Sequence, residues 1–480
     1  MSWQLLLIAI GLIVLLMLVW RRPALALYTL VGAAVTFEIF PLGFSDSLTD
    51  TIPFFLNLNN SAGLGVSFSP AEVVMVLAIA AWIAGSRGQR AAYRPSHRIL
   101  RAYLAFMVVV LFAEAHGIMN GGDFNISLWE LRPQVYGFIL FVLTASLIRE
   151  RRQVVWIAAV FIACVAFKAG VGYNRYFFVL HQSLGATEAI LSHEDSYFLL
   201  LFLAAVVAAA IWVRRWKIVL PMLLTSPIVG IVMLENRRRV AMVALWAALA
   251  VVIGLSIRFE PALRKRIIVL TAIGVLGFAG FVIANWNNDN DNIVGQIVRP
   301  VHTITGRVSE RDYLSDIYRT NENADILYTY HTDPLIGIGF GLPMLVVFPL
   351  ADISQQYPLW QFIPHNTDLW VAMRMGILGM AAFWGLTCVV ILEGVRSVSR
   401  QTDPFLRAAG ALALAAVIAE LVVGYGDVQL ENYRNMIFFG TMIGLIDALP
   451  KVRVSAVEQE VPVRHWASVP AFSMSSHGQS

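Results

Sequence analysis

Apolar runs of about twenty residues recur along the whole chain, and each is long enough to cross the hydrocarbon core of a bilayer. Nothing else in the sequence restricts the fold so strongly. The runs fall near 3–20, 24–42, 70–86, 98–116, 133–148, 154–172, 195–213, 218–234, 240–257, 267–284, 366–394, 408–425 and 434–449. They are too long and too uniformly apolar for the period-two alternation of a membrane barrel. The expected fold is therefore an all-α polytopic membrane protein with about 12–13 transmembrane helices. Composition agrees: 58% of residues are hydrophobic, 14% are charged and the mean hydropathy is +0.70. Soluble domains carry roughly a quarter charged residues.

Basic clusters in alternate connections orient the chain. Most of the 35 Lys and Arg lie in "RR", "SRGQRAAYRPSHR", "RERRQ", "RRWK", "RFEPALRKR", "RSVSRQTDPFLR" and the tail from Lys451. The positive-inside rule puts these in the cytoplasm, the N-terminus outside and the C-terminus inside. Residues 1–450 then form one transmembrane domain, and 451–480 read as a disordered cytoplasmic tail. The first run lacks a basic start and is followed by Arg21 and Arg22, which argues against a cleaved signal peptide. Four longer connections, roughly 43–69, 117–132, 173–194 and 285–365, face outward, the last being a large helical extracytoplasmic loop. Cys164 and Cys388 lie in apolar runs and support no disulfide framework or zinc site. The net charge of +4 comes from dispersed clusters and carries no nucleic-acid signal.

Chemistry-bearing residues concentrate on the outer face. Arg237, Arg238 and Arg239 occupy a tight outward turn, where the charge rule disfavours them. Guanidinium groups suit phosphate oxygens, so the turn reads either as an anion site or as headgroup contact. In the large loop, "SERDYLSDIYRTNENADILYTYH" has helical character, with Ser309 and Asp312 placed to cap it. Glu322 and Asn323 follow Arg319 by three and four residues, on one helix face. Glu322 there either orients or neutralises the guanidinium, or belongs to a solvated, salt-bridged helix. Asp333 and Pro334 end the helix, and Gly337, Gly339 and Gly341 permit close backbone packing or approach to a ligand. "QFIPHNTDLW" then sets a polar knot with His365 and Asn366 at the mouth of an apolar run. Asp289 to Asp291 form a D-x-D that reads as a turn at a helix end rather than a metal site. "HEDSY", with His193, Glu194 and Asp195, reads either as an acceptor contact or second base, or as a helix N-cap by Ser192 or Asp195, and Asp427 and Arg434 are lower-ranked candidates in the last outer loop. Within the runs, opposite charge pairs Arg374 with Glu420.

The order of these parts resembles the superfamily of O-antigen ligases and O-antigen polymerases, which are bacterial membrane glycosyltransferases. The similarity is clearest from Tyr318 to Met380. The family reads as Arg, a helix, Pro-Leu-x-Gly-x-Gly-x-Gly, a variable stretch, His-Asn-x-x-Leu, and a span opening with Gly-[ILV]-Leu-Gly. This chain has Arg319, "DPLIGIGFG", "PHNTDLW" and "MGILGM". "RRVAMVAL" is similar to the family's Arg at the start of a span, with Arg239 the best match and Arg238 next, and "ELRPQVYGF" supplies Arg132. Two departures are an additional span and Arg374, where members often have Glu.

The resemblance implies a glycan donor linked to undecaprenyl diphosphate. It also implies metal-independent, inverting transfer to an acceptor sugar hydroxyl on the outer face of the bacterial cytoplasmic membrane, in cell-surface polysaccharide biosynthesis. No cofactor and no nucleic-acid partner is expected. His365 would be the base and Arg319 the principal diphosphate stabiliser. Arg239, Arg238, Arg132, Glu322, Asn323, Asn366, Gly339 and Glu194 would bind substrate. Ligase and polymerase share these motifs, so the acceptor stays open. The alternative is a lipid-linked oligosaccharide flippase or another secondary transporter, which should concentrate polar residues at the bilayer midplane.

Overall fold

The computed structural model describes residues 3–39, 49, 52, 54–56, 68–85, 95–182, 189–288, 293–304, 310–354, 357–427 and 429–454. Among them are fifteen α-helices and no strand: α1 (Trp3–Arg21), α2 (Ala24–Thr36), α3 (Pro70–Gly85), α4 (His97–Met119), α5 (Phe124–Leu147), α6 (Arg151–Asn174), α7 (Asp195–Ala208), α8 (Trp216–Glu235), α9 (Arg239–Phe259), α10 (Arg264–Ala284), α11 (Ile293–Ile304), α12 (Glu310–Tyr330), α13 (Thr367–Arg400), α14 (Pro404–Gly424) and α15 (Tyr433–Ala448). Nine helices among the described residues are long and apolar enough to cross a membrane, and α2, α3 and part of α1 form shorter apolar helices. The chain is an all-α polytopic membrane protein. The tail beyond 454, the capping pair Ser309 and Asp312, and Asp289 to Asp291 lie outside the residues, or the side chains, that are described.

Helix ends are set by local polar residues. Asp123 accepts from the backbone of Asn125 and Ile126 at the start of α5, and Asp403, with Pro404 behind it, accepts from Leu406 at the start of α14. The most extensive helix pair is α5 with α15. It depends on small residues, because a β-carbon on Gly440 would sit 2.1 Å from the Gly137 carbonyl oxygen. Around this pair lie α2, α4, α7, α13 and α14, while α10 is largely exposed to lipid.

One membrane helix is broken, and the break positions the site. Inside α13, Gly376 has φ 62° and ψ −161°. A break in a membrane helix leaves carbonyls and N–H groups that lipid cannot satisfy. The Pro334–Gly341 turn supplies the partners. The N–H groups of Ile338 and Gly339 donate to the carbonyls of Met373 (2.9 Å) and Arg374 (3.1 Å). In return, the N–H groups of Ile377 and Leu378 donate to the carbonyls of Pro334 (2.9 Å) and Leu335 (3.3 Å). Contact is that close only because Gly337, with φ 72°, lacks a β-carbon; one there would lie 2.4 Å from the Arg374 carbonyl carbon.

Arg374 is sealed beside the break, fully buried, and its partner is Glu130 of α5, with Nε 2.6 Å from Oε1. The pairing expected with Glu420 does not form. Arg374 also donates to the carbonyls of Gly339 (3.1 Å), Leu342 (2.6 Å) and Phe362 (2.7 Å). Glu130 accepts from the Gly341 N–H at 2.7 Å and the Trp370 indole at 3.1 Å. This pair ties α5, α13, the glycine turn and the segment leading to His365 into one knot. Charge in a low-dielectric interior is tolerated when both partners are present and hydrogen-bonded, and removing one leaves the other uncompensated. Glu130→Ala or Arg374→Ala is therefore expected to cost about 3–5 kcal/mol, read as loss of monodisperse protein or a lowered melting temperature in detergent.

Candidate functional site

The site is assembled on α12, the polar helix of the large loop. Glu322 has no exposed surface, yet its carboxylate is satisfied from outside its own helix. It accepts the backbone N–H of His365 at 3.0 Å and faces His365 Nδ1 at 3.1 Å. A carboxylate on Nδ1 fixes the ring orientation and leaves Nε2 as the working nitrogen. The His365 side chain keeps 21% of its surface exposed. The rings of Tyr318 (edge-on, 5.9 Å) and Tyr357 (6.3 Å) wall the imidazole. Burial, with Glu322 close by, raises both tyrosine hydroxyls above the usual range, so both are neutral donors.

Glu322 thus serves His365 and not Arg319, as the helix spacing had suggested. Asn366 does not orient the imidazole either: its side chain caps α13, accepting from Leu369 N–H at 3.1 Å.

Arg239, at the start of α9, forks onto Asp316 of α12, with distances of 2.6 and 3.2 Å. Asp316, Arg319 and Glu322 are spaced i, i+3, i+6 and share one side of the helix. Arg319 therefore sits between the residue that anchors Arg239 and the residue that anchors His365. Two arginines from different helices and one imidazole are gathered along a single stripe. Arg238 adjoins this stripe by way of Asp427, in the turn between α14 and α15. Burial disfavours charge on Asp427, but His193, Arg238 and His365 outweigh it and hold the carboxyl well below the usual carboxylate range. Glu431, in the same turn, goes the other way: burial raises its carboxyl well above the usual range, with Glu130 and Glu420 adding to the effect. This shift favours the uncharged carboxyl.

The adjoining side of α12 holds a strap. Asn321, Asp325 and Thr329, spaced i, i+4, i+8, bond the backbone of an extended segment. Asn321 donates to the Pro349 carbonyl at 2.9 Å, Asp325 accepts from Val347 and Phe348 at 2.7 and 2.8 Å, and Thr329 accepts from Leu345 at 2.9 Å. Held this way, Leu345, Val346, Val347 and Phe348 remain 43–54% exposed. Tyr313, Leu314 and Ile317 of α12 add further exposed apolar surface.

The other residues singled out in the sequence lie in separate surroundings. Arg132 pairs with Glu72 of α3 at 3.6 Å and contacts Tyr433 of α15. Gly339 backs onto Gly117 of α4, so its close approach is within the protein. Glu194 accepts from Asn432 at 2.6 Å and stands 3.9 Å from Arg434. Asn323 is partly buried on α12. Asp195 accepts from the Ser192 N–H and hydroxyl and pairs with the buried Arg434, but neither Ser192 nor Asp195 caps α7, whose N-cap position is Glu194 with no side-chain cap bond. Sequence reasoning overlooked Asp316, Tyr357 and the pairing of His193 with Asp427. The position of Asp316, three residues before Arg319, was the only local signal.

Compared with known protein families and characterised proteins, the chain matches no family model and no characterised sequence.

Two measurements check this geometry. A double-mutant cycle on Arg239→Ala and Asp316→Ala, followed by thermal unfolding, is expected to give a coupling of about 0.5–1 kcal/mol, since the fork is good but partly solvated. For Glu431, the folded state retains a proton that the unfolded chain has lost above about pH 4.3. That contribution falls by about 1.4 kcal/mol for each pH unit above that point, until the folded-state group itself ionises. Glu431→Gln should therefore match the wild type at about pH 4 and become increasingly more stable than it on moving to about pH 8.

Proposed function

We propose that the protein transfers a glycan from a polyprenyl diphosphate to an acceptor sugar hydroxyl at the outer face of a bacterial cytoplasmic membrane. The observation carrying this reading is the α12 stripe, which gathers Arg239, Arg319 and the Glu322-bound His365 on one side of one helix. The acceptor oxygen attacks the anomeric carbon of the donor as His365 Nε2 takes its proton. Glu322 steadies the imidazolium that forms. The bond from anomeric carbon to diphosphate oxygen breaks, and the diphosphate keeps the electron pair. Arg319, with Arg239 and Arg238 beside it, stabilises the negative charge gathering there. Guanidinium groups remain charged at any working pH, so they suit this role without a metal. The exposed apolar strap beside the stripe suits a donor whose tail lies in the bilayer. The similarity in motif order to O-antigen ligases and polymerases supports the same reading.

A second reading, a lipid-linked oligosaccharide flippase, draws on the charges enclosed between helices. Lys168 lies 2.7 Å from Glu38 and 3.4 Å from Asp195, and Arg175 lies 3.5 Å from Glu38, all nearly without exposed surface. Deletion distinguishes the two, since lipid-linked glycan should accumulate on the outer leaflet for a transferase and on the inner leaflet for a flippase.

With purified protein, lipid-linked glycan and acceptor in chelator-containing buffer, His365→Ala and Arg319→Ala are each expected to lower turnover by about 10²–10⁴-fold. Both variants should still insert and accumulate normally. Full glycan output from both would remove the site assignment.

A further inference from the structure

A second imidazole–carboxylate pair stands beside the first. His193, just before α7, places Nδ1 3.4 Å from Asp427 Oδ2; the carboxylate is buried, and the imidazole keeps 43% of its surface exposed. The turn carrying Asp427 is wedged into the site. At one end Gly424 backs onto Thr367, two residues beyond His365, where a β-carbon would lie 3.3 Å from the hydroxyl. At the other end Gly426 backs onto Val240, the neighbour of Arg239, at 3.3 Å. His193 and its carboxylate therefore lie between the start of α13 and the start of α9, the two places that supply His365 and the basic turn.

The charged groups around His193 come from several elements. Glu194 and Asp195 follow it in its own segment; Asp195 is neutralised by Arg434 of α15, and Glu194 also lies 3.9 Å from that guanidinium. Asp427 comes from the turn between α14 and α15, and Arg238, from the turn between α8 and α9, and His365, from the segment before α13, are each within electrostatic reach of it. With Asp427 on Nδ1, the ring is held in place and Nε2 is the nitrogen left to meet a ligand.

We infer that His193, clamped by Asp427, is a donor-binding residue that grips the diphosphate as an imidazolium, donating from Nε2 to a phosphate oxygen alongside Arg238. This rests on the proposed transferase reading. The two histidines then have opposite requirements. His365 works neutral, as the base, and His193 works charged, as a cation that weakens as pH rises. The site holds the donor best on the acid side of neutrality.

The test measures binding of glycan-free undecaprenyl diphosphate to the full-length protein in detergent, at about pH 6 and about pH 9, on either side of the range in which histidine changes charge. His193→Gln is expected to bind about tenfold more weakly than wild type at the lower pH, the equivalent of about 1.4 kcal/mol, and equally at the higher pH. His193→Arg should bind tightly at both, because its charge does not titrate. Arg319→Ala should lose affinity at both. If His193→Gln matches wild type at the lower pH, or is weakened equally at both, His193 is a structural residue and the inference fails while the transferase reading stands. Loss of binding by a folded His193→Arg also overturns it. If wild type does not bind the lipid diphosphate, or Arg319→Ala binds as wild type does, the transferase reading itself fails and takes this inference with it.

Discussion

An ion pair enclosed between helices, Glu130 with Arg374, holds the site in register. Its two charges have no access to water, so each depends on the other and on the hydrogen bonds around it. The guanidinium satisfies carbonyls at Gly339, Leu342 and Phe362, and the carboxylate takes N–H groups from Gly341 and Trp370. The large loop is thereby anchored at both ends, at the glycine turn where it leaves α12 and at the segment where it re-enters α13. His365 lies three residues beyond Phe362 and inherits that fixed position. The break in α13 is the complementary requirement, since it exposes backbone groups that only the glycine turn can satisfy within the membrane.

With its ends fixed, the loop presents α12 as a working surface with two adjoining faces. One carries Asp316, Arg319 and Glu322 and collects partners from α9 and from the start of α13. The other carries Asn321, Asp325 and Thr329 and straps an apolar segment outward. Clustered positive charge and an exposed apolar edge thus lie on adjoining faces of one helix, the arrangement that the proposed transfer calls for. A rigid element serves this purpose better than a mobile loop, because catalysis by positioned charge depends on donors that need not reorganise.

Ionisable groups in this protein fall into two populations. Lys168, Arg175 and Arg434 are enclosed and paired with the buried carboxylates of Glu38 and Asp195, and the cluster joins α2, α6, α7 and α15. His365 and His193 are each held by a buried carboxylate on one nitrogen and remain partly exposed on the other side. The first arrangement keeps its charges inside the packing. The second leaves a nitrogen available for chemistry.

The apolar runs, read by length alone, located the membrane helices, and the polar character of 309–331 located α12. Both are local properties, set by hydrophobic transfer and helix periodicity within one segment. The candidate stretches around Arg319, His365 and Arg239 also stood out, because charge at the end of an apolar run is conspicuous wherever it occurs. The partners were not legible. Glu322 turned to His365 rather than Arg319, Arg374 to Glu130 rather than Glu420, and Arg239 to Asp316. Opposite charge says that a buried group needs a partner but not which one, since that depends on which helices pack together and how deeply each residue lies. The sequence by itself determined that long apolar segments enter the membrane and which stretches between them are polar, while nine helices among the described residues are long and apolar enough to cross, against the 12–13 expected. Only the tertiary structure decided which carboxylate holds which cation, because that choice is made by packing between segments remote in the chain.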